Sequence, residues 1–474
     1  MSQQENTNSE NPLLNAPVNK MLLLMSAPIS LGMLSTFLFQ LVDTYFIGKL
    51  GSQPLAALGF AAGVYMLLVG LFMGMAVGVS SLVAGALGKE ELHLARRYTT
   101  ISLVLSTIIA IGLSALGILF LEPLFLGLGA EAKLIPMIRE YMNVLYLGMP
   151  LLIFGLIGAS AIRATGDVKP PEIVMGIAGI INVVFDALLI FGVGPFPKLG
   201  IQGAALATVL SWVFVFVMTI VLLMKHKLLT TQSGALKTEL KELARLSIPA
   251  TLTQILLPIT AMFVTFLVAR SGPEAVAAYG VVMRIETLML VGISSMSIAI
   301  VPFIAQNLAQ KERVNEAIAM AGKTSFYWGG GLFIVLVLLA EPIASIFTTD
   351  PKVLDFTKLY FYIVAFTYVG YGIITMTASI FNGLQMPSDA LKVLTVKTFA
   401  FTIPLALAGS YFGALGVFGG IALSNLLGYL TSSRHMRKFL IKSESEITNQ
   451  EILEDYISDW KALIARVKGN KGTV

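Results

Sequence analysis

The sequence predicts an all-α membrane protein with twelve transmembrane helices in two parallel-repeat six-helix lobes. Three observations support this fold class: the composition, the alternation of apolar runs with charged connections, and a repeat between the two halves. Of the 474 residues, 56% are hydrophobic and 12% are charged, whereas a soluble domain carries about 25% charged residues. Apolar runs of about 20 residues recur along the chain, each long enough to cross the hydrocarbon core of a bilayer as a helix.

Charged and Gly/Pro clusters divide the chain into twelve predicted spans. Their centres lie roughly at residues 35, 72, 110, 150, 182, 212, 258, 292, 331, 370, 402 and 422. The connections alternate between a set rich in Lys and Arg, such as GKEELHLARR, and a short, nearly uncharged set, such as GPFPKLG. The positive-inside rule predicts that the first set and both termini are cytoplasmic. That placement requires an even number of spans, which agrees with twelve.

The two halves of the chain resemble each other. Three positions of the first half reappear 221 residues later, with Pro28, Gly51 and Gly59 matched by Pro249, Gly272 and Gly280. Each half has an even number of spans, so both halves enter the membrane in the same direction, and such repeats favour a transporter with its substrate between the halves. The predicted organisation is a cytoplasmic polar tail (1–20), an amino-terminal six-helix lobe (21–224), a cytoplasmic linker (225–246), a carboxy-terminal six-helix lobe (247–441) and a cytoplasmic charged tail (442–474).

The composition excludes several classes of site. The chain has no cysteine, which rules out disulfides and thiolate metal sites. Its three histidines lie in charged connections without a second metal ligand beside them, so no cofactor is expected. The first 20 residues are polar and lack a basic n-region, so span 1 is expected to act as its own insertion signal. The net charge of +5 fits a topology signal better than a nucleic-acid partner.

Two acidic residues stand inside predicted spans, and counting along the helices brings them to one depth. At 1.5 Å per residue, Asp43 lies about 8 Å below the outer end of span 1, and Asp186 about 10 Å below that of span 5. Asn182 precedes Asp186 by one turn and shares its helix face. Thr208 on span 6 and Tyr141 on span 4 fall at similar depths. We expect these five side chains to converge in the outer half of the amino-terminal lobe.

Three interpretations of the two acids remain open. A carboxylate inside a membrane helix costs about 3 kcal/mol on insertion scales, and such residues usually mark an ion path. Two neighbouring carboxyls in a low dielectric do not both ionise readily, which provides a group able to take and lose a proton. The oxygens of Asp43, Asn182, Asp186 and Thr208 could instead hold Na⁺, a hard cation that prefers oxygen ligands. Alternatively, each Asp serves only to pack its helix through hydrogen bonds.

Three further residues of the spans are candidates. Arg284 and Glu286 on span 8 do not share a helix face and need not pair with each other. They are either part of a structural charge network or contacts to substrate. Pro28 on span 1 permits a kink that could couple protonation to helix shape. In the second half, Val264 takes the place of Asp43, and spans 7 and 10 contain no acid, so ion chemistry is expected in the first half.

The motifs resemble a known family. The stretch PISLGMLSTFLFQLVDTYFIGKLGSQPLAALGFA is similar to the first-helix signature of the multidrug and toxic compound extrusion (MATE) transporters, and RATGD, NVVFDALLIFG and GIQGAALAT are similar to its later motifs. The resemblance implies cation-driven export of organic cations by alternating access. The acids together with Asn182 look like the DinF-like branch, in which the positions of Asp43, Asp186, Tyr141 and Thr208 form the cation or proton site.

The resemblance implies two more roles. Pro28 matches the proline at which span 1 is proposed to bend, and Gln40, one turn before Asp43, falls where the family lines its drug cavity. The NorM-like branch carries acids on spans 7 and 10, which this chain lacks. That difference argues against a sodium site in the carboxy-terminal lobe.

The sequence therefore predicts a multidrug efflux antiporter, not an enzyme, that exports organic cations in exchange for H⁺ or Na⁺. It is expected to work as a monomer in a bacterial inner membrane. One alternative is a lipid-linked intermediate flippase of the same superfamily, which a near absence of Lys and Arg from the spans disfavours. A major facilitator transporter would show a Gly-rich Asp-Arg pattern where this chain has GKEELHLARR. A membrane enzyme finds no supporting His-acid or Ser-Lys pair inside the spans.

Overall fold

The computed structural model describes residues 12–232 and 234–442, and all regular structure within them is helical. The charged tail predicted after residue 442 lies outside the described residues. Short helices at Pro12–Asn15 and Leu121–Gly127 accompany the long ones. The first ten spans are Val18–Gly48, Ser52–Gly88, Leu92–Leu119, Ala132–Arg163, Lys169–Phe191, Ile201–Lys225, Leu236–Ser271, the bent pair Pro273–Met289 and Val291–Gln306, Lys311–Ser345, and Pro351–Gly383.

The described residues contain twelve apolar passages, as predicted. Ten helices are individually long and apolar enough to cross a membrane, and the pair bent by 51° after Met289 makes an eleventh passage. The last of the ten, Pro387–Leu440, has 54 residues, which would be about 80 Å long if it were one straight helix. That length is far more than a bilayer needs, and the segment is in fact a hairpin.

The hairpin turns at the short helix Ser410–Phe412. A Cβ atom placed on Gly409 would overlap the carbonyl of Gly416, and one placed on Gly420 would lie 2.5 Å from the carbonyl oxygen of Leu405. The paired numbers run in opposite directions, so the two arms are antiparallel. Span 11 thus consists of Pro387–Thr395, Val396–Thr402 and Ile403–Gly409, and span 12 is Gly413–Lys442.

The chain divides into two compact units. Unit 1 contains the described residues within Met1–Met262, Arg284–Leu308 and Ser379–Lys392. Unit 2 contains those within Phe263–Met283, Ala309–Ala378 and Val393–Val474. The acids singled out above lie in unit 1.

Glycines bring spans 4 and 6 of unit 1 together. A Cβ on Gly155 would lie 2.5 Å from Val215 Cγ1, and one on Gly158 would overlap the methyl group of Thr219. Small residues at helix contacts allow close backbone approach in membrane proteins, where packing replaces the hydrophobic effect between helices. The paired numbers rise together, so these two spans run parallel.

A buried ion pair joins the end of span 4 to the start of span 5. Arg163 Nη1 donates to Glu172 Oε1 over 2.9 Å, and both side chains are largely buried. The Glu172 carboxylate also lies directly against Gly32 of span 1, where a Cβ atom would overlap it. The pair therefore sits where three helices of unit 1 meet.

Breaking this pair is expected to destabilise the protein. Arg163→Met would leave the Glu172 carboxylate buried without its cation, a change that costs about 3–5 kcal/mol in other proteins. We expect a clear fall in the melting temperature of the detergent-solubilised protein, measured by fluorescence-detected size exclusion after heating. Adding Glu172→Gln should recover much of the loss, since the amide needs no counter-ion.

The exposed pair Arg139–Glu122 provides a matched control. Its atoms are 2.8 Å apart, but the side chains are 48% and 56% exposed, and exposed pairs contribute about 0–1 kcal/mol. Arg139→Met should therefore leave the melting temperature almost unchanged. Equal losses in the two arginine variants would contradict the role given to the buried pair.

Candidate functional site: an acidic layer in unit 1

The contacts between spans 1 and 5 set the level of Asp43. Glu172 packs on Gly32, and Phe39 packs on Gly179, where a Cβ would overlap the ring. Both pairs are 140 residues apart, so the helices run parallel with a constant register. By that register Asp43 stands level with residue 183, between Asn182 and Asp186. The two acids therefore occupy one layer of unit 1.

Three of the four carboxylate oxygens in this layer are buried without a protein partner. Asp186 is 0% exposed, and neither of its carboxylate oxygens has a hydrogen-bond partner. One oxygen of Asp43 is also buried without a partner, and the two carboxyls are close enough to interact electrostatically. An ionised carboxylate buried in this way is costly, and proteins avoid the cost by neutralising or pairing the group. The layer is therefore suited to binding a proton or a small cation.

Asn182 and Thr208 provide an amide and a hydroxyl beside the acids. Asn182 Nδ2 donates to Thr208 Oγ1 over 3.3 Å, and the Thr208 hydroxyl donates to the carbonyl oxygen of Ala204 over 3.0 Å. The Thr208 hydroxyl thus donates once and accepts once within spans 5 and 6, and its oxygen has a second lone pair left. This lone pair and the amide oxygen of Asn182 are the neutral acceptors that the pair presents to a guest ion.

Aromatic residues lie beside the acids of this layer. Tyr141 is buried, and its hydroxyl group interacts electrostatically with Asp43, Asp186 and Tyr65. Tyr65 in turn stacks on Trp212, with ring centroids 6.1 Å apart and planes 6° from parallel. The sequence did not single out Tyr65 or Trp212, because aromatic residues are common in membrane helices and nothing local marks these two.

The donor set fits either a proton or Na⁺. A proton needs only one of the two carboxyls, whereas Na⁺ would be held by carboxylate, amide and hydroxyl oxygens together. Within residues 12–232 and 234–442, no three His, Cys, Asp or Glu side chains form a group that could hold a metal ion. Any cation in the layer would therefore rely on two acids and neutral oxygens.

The other candidates of span 1 lie outside this layer. Gln40 is exposed on span 1, one turn before Asp43. The helix Val18–Gly48 is continuous through Pro28. Two residues beyond this proline, the Ser30 hydroxyl donates to Ser295 Oγ on span 8 over 2.6 Å. Span 1 is therefore tied to its neighbour beside the position where a kink is expected.

The charged residues of span 8 do not join the acids directly. Arg284 is exposed, and no hydrogen bond or ion pair of the described residues links it to Asp43 or Asp186. Glu286 is half-buried and has interactions of its own. The roles of this pair stay predictions.

Lys397 is an ionisable residue near the middle of a span that the sequence did not single out. Lys397 lies in span 11, between Pro387–Thr395 and Ile403–Gly409, and so departs from the near absence of Lys and Arg in the spans. The apolar stretch TFAFTIPLALAG after it was a usable signal. A span centred near residue 402 leaves Lys397 at the edge of the basic connection, five residues after Lys392, and not inside the span.

Comparison with known proteins identifies the family. Twelve apolar passages and a buried acidic layer define a polytopic helical membrane protein with ionisable groups inside its spans. The MatE family model matches residues 28–188 and 249–408, and the two matches begin 221 residues apart, which is the offset of the repeat. The chain belongs to the multidrug and toxic compound extrusion family, whose members are transporters and not enzymes. The major facilitator alternative and the enzyme alternative are thereby removed.

Relatives and solved structures agree with this assignment. The FAD transporter of Shewanella oneidensis is 35% identical over 422 residues, covering 88% of this chain and 93% of its own. The probable multidrug resistance protein YoeA of Bacillus subtilis is 27% identical and covers 80% of this chain and 84% of its own. The crystal structure of a point mutant of the Vibrio cholerae MATE transporter VcmN superposes with a TM-score of 0.86 at 27% identity, covering 90% and 97%. The predicted two-lobe helical fold is confirmed.

Proposed function

We propose that this transporter is a multidrug efflux antiporter of the DinF-like branch, exporting organic cations in exchange for protons or Na⁺ by alternating access. The observation that carries the proposal is the layer of Asp43 and Asp186, whose buried carboxylate oxygens have no protein partner. Asn182, Thr208 and Tyr141 complete the coupling site. Among the relatives, proteins named as multidrug resistance or export proteins support the substrate class.

The layer explains how an ion gradient drives export. A proton or Na⁺ enters from outside and neutralises one negative charge of the layer, which lowers the cost of burying the acids. The loaded state then releases the bound organic cation outward. One charge moving through 100 mV supplies about 2.3 kcal/mol, a useful fraction of a transport step. Pro28 provides the bend in span 1, Gln40 lines the drug cavity, and Arg284 and Glu286 contribute substrate contacts or a charge network.

The proposal includes a placement in the cell. The transporter is monomeric and lies in a bacterial inner membrane with both termini cytoplasmic, in accord with the basic connections. Residues 21–224 and 247–441 form the two lobes, joined by the linker 225–246. No cofactor takes part, and the coupling ion is the second substrate.

A second candidate substrate is FAD. The observation that favours it is the relative that is named an FAD transporter and is 35% identical over most of both chains. FAD is an anionic dinucleotide, whereas the acidic layer suits cations. The flippase alternative has no comparable support. Measuring the transport of an organic cation and of FAD by the same purified protein distinguishes these possibilities.

The proposed antiport is tested with everted vesicles that contain the transporter. Ethidium is added outside, and its uptake is followed with an acidic lumen, with a Na⁺-loaded lumen at equal pH, and with neither gradient. Uptake driven by the first or the second gradient is expected and identifies the coupling ion. If neither gradient drives ethidium or a fluoroquinolone, the antiporter proposal is wrong.

Two Asp→Asn variants, one inside the acidic layer and one outside it, make this test specific. Asp43→Asn removes an acid of the layer and should abolish gradient-driven uptake. Asp355→Asn removes a carboxylate that is 75% exposed near the start of the helix Pro351–Gly383. This helix begins before the apolar part that the sequence predicted as span 10, so the prediction that the span contains no acid does not hold for the whole helix. The variant should leave uptake unchanged. Equal behaviour of the two variants would assign the effect to something other than the acidic layer.

A further inference from the structure

Lys397 places a positive charge near the middle of span 11. It lies ten residues after Pro387 and twelve before Gly409, which at 1.5 Å per residue is about 15 Å and 18 Å from the two ends. A lysine at the centre of a membrane helix costs about 2.5–3.5 kcal/mol on insertion scales and is a mark of function. Lys397 belongs to unit 2, whereas Asp43 and Asp186 belong to unit 1.

The backbone around Lys397 is wider than an α-helix. Residues Val396–Thr402 form a π-helix, and the Thr402 hydroxyl donates to the carbonyl oxygen of Lys397 over 2.9 Å. Such π-helical turns are rare and occur often at functional sites. The unusual backbone and the unusual charge thus coincide at one residue, although each was observed independently.

The side chain of Lys397 points into unit 2. Its Nζ atom lies 5.9 Å from the ring centroid of Tyr371 on span 10, within the range of a cation–π contact. Its stem crosses Gly428 of span 12, where a Cβ atom would lie 2.9 Å from Lys397 Cγ. The ammonium is therefore held among spans 10, 11 and 12.

The amide side chain of Asn425 is buried on span 12, one helical turn before Gly428. Asn425 of span 12 is 3% exposed, and its Nδ2 donates to Thr367 Oγ1 over 2.9 Å. Its Oδ1 atom is buried and has no hydrogen-bond partner. A Cβ atom on Gly370, the residue before Tyr371, would lie 3.3 Å from the backbone carbonyl oxygen of Asn425. Thr367 is one turn before Tyr371 on span 10, and Asn425 is one turn before Gly428 on span 12, so the open acceptor lies about one helical turn from the place where Lys397 meets these two spans.

We propose that Lys397, Tyr371 and Asn425 form a recognition position for a planar aromatic molecule that bears an acidic group. The ammonium pairs with a carboxylate or phosphate, and such charge-assisted contacts are roughly twice as strong as neutral ones. The Tyr371 ring stacks on the planar part, and Asn425 Oδ1 accepts an N–H group. This inference rests on the proposed export function and extends its substrate class from organic cations to acidic aromatic molecules.

The test compares three probes that differ in their acidic group. Norfloxacin bears a carboxylate, FAD bears phosphates, and ethidium is an aromatic cation without either. Lys397→Met removes the charge at similar length. We expect it to raise the dissociation constant and the transport KM of norfloxacin, FAD or both by about tenfold, as expected for the loss of one charged hydrogen bond, while those of ethidium change less than about twofold. The acidic probe that is affected identifies carboxylate or phosphate as the group bound.

Other variants separate recognition from folding. Lys397→Arg keeps the charge and Tyr371→Phe keeps the ring, so both should retain most of the affinity, whereas Tyr371→Leu should lose it. Lys392 is an exposed lysine five residues before Lys397 and pairs with Asp389, so Lys392→Met should alter the binding of no probe.

The outcomes also separate this inference from the antiport itself. If Lys397→Met affects all three probes equally, or none, the recognition position is wrong, while gradient-driven ethidium uptake still supports the antiporter. If no gradient drives any probe, the antiporter fails, and binding to the purified protein still decides the role of Lys397.

Discussion

Asp186→Asn is expected to eliminate proton-driven accumulation of drug. One pH unit corresponds to 1.36 kcal/mol per proton, so a lumen two units more acidic than the outside should support about 100-fold accumulation of a monovalent cation exchanged for one proton. The asparagine cannot gain or lose a proton, and the accumulation ratio should fall to about one. Uptake of ethidium into everted vesicles at a fixed gradient measures this ratio.

Proton release gives a second reading of the same variant. When ethidium binds to the purified wild-type protein in weak buffer, a pH-sensitive dye should report release of a proton from the acidic layer. The Asp186→Asn variant should still bind ethidium but release fewer protons, because position 186 no longer carries a proton that ethidium binding can displace. Accumulation by Asp186→Asn at the level of Asp355→Asn would show that Asp186 is not a coupling group.

Gly74→Leu is expected to prevent folding of unit 1. A Cβ on Gly74 would overlap the backbone nitrogen and Cα of Thr251 on span 7, whose hydroxyl donates to the Leu71 carbonyl over 3.2 Å. Backbone atoms of two long helices cannot move aside as a side chain can by changing its rotamer. The loss of folding free energy should therefore reach or exceed the upper end of the usual range of about 1–3 kcal/mol for overpacking. We expect loss of the monodisperse peak in fluorescence-detected size exclusion.

Gly70 supplies the matched control for this substitution. It lies one turn earlier on the same helix, and a Cβ there would meet no atom within 4 Å. Gly70→Leu should give the wild-type elution profile and melting temperature. Equal profiles for the two variants would mean that spans 2 and 7 do not approach as closely as described.

The fold class was predictable because the bilayer imposes a simple requirement on each segment. Within hydrocarbon every backbone group must be satisfied inside its own helix, so each span leaves a hydropathy signal that needs no knowledge of its neighbours. The helix boundaries were less predictable. Span 2 has 37 residues, about 55 Å of helix, and hydropathy marks only its apolar part.

The common depth of the two acids could be predicted by counting residues along the helices, whereas the residues that surround them could not. The depths of Asp43 and Asp186 follow from helix rise alone. The constant register of spans 1 and 5 depends on the contacts at Gly32 and Gly179, and glycine occurs 43 times in this chain. Nothing local distinguishes the glycines that meet a neighbouring helix. The stacking of Tyr65 on Trp212 and the π-helical turn at Val396–Thr402 arise from tertiary packing in the same way.

The seam between spans 11 and 12 has a mechanical consequence. Their backbones touch at Gly409 and Gly416 and again at Leu405 and Gly420, and the loop that joins them is three residues long. Two helices whose backbones are in contact at successive turns move as one rigid unit. Any bending during a transport cycle must therefore occur outside this helix pair. Lys397, as part of span 11, moves together with the pair.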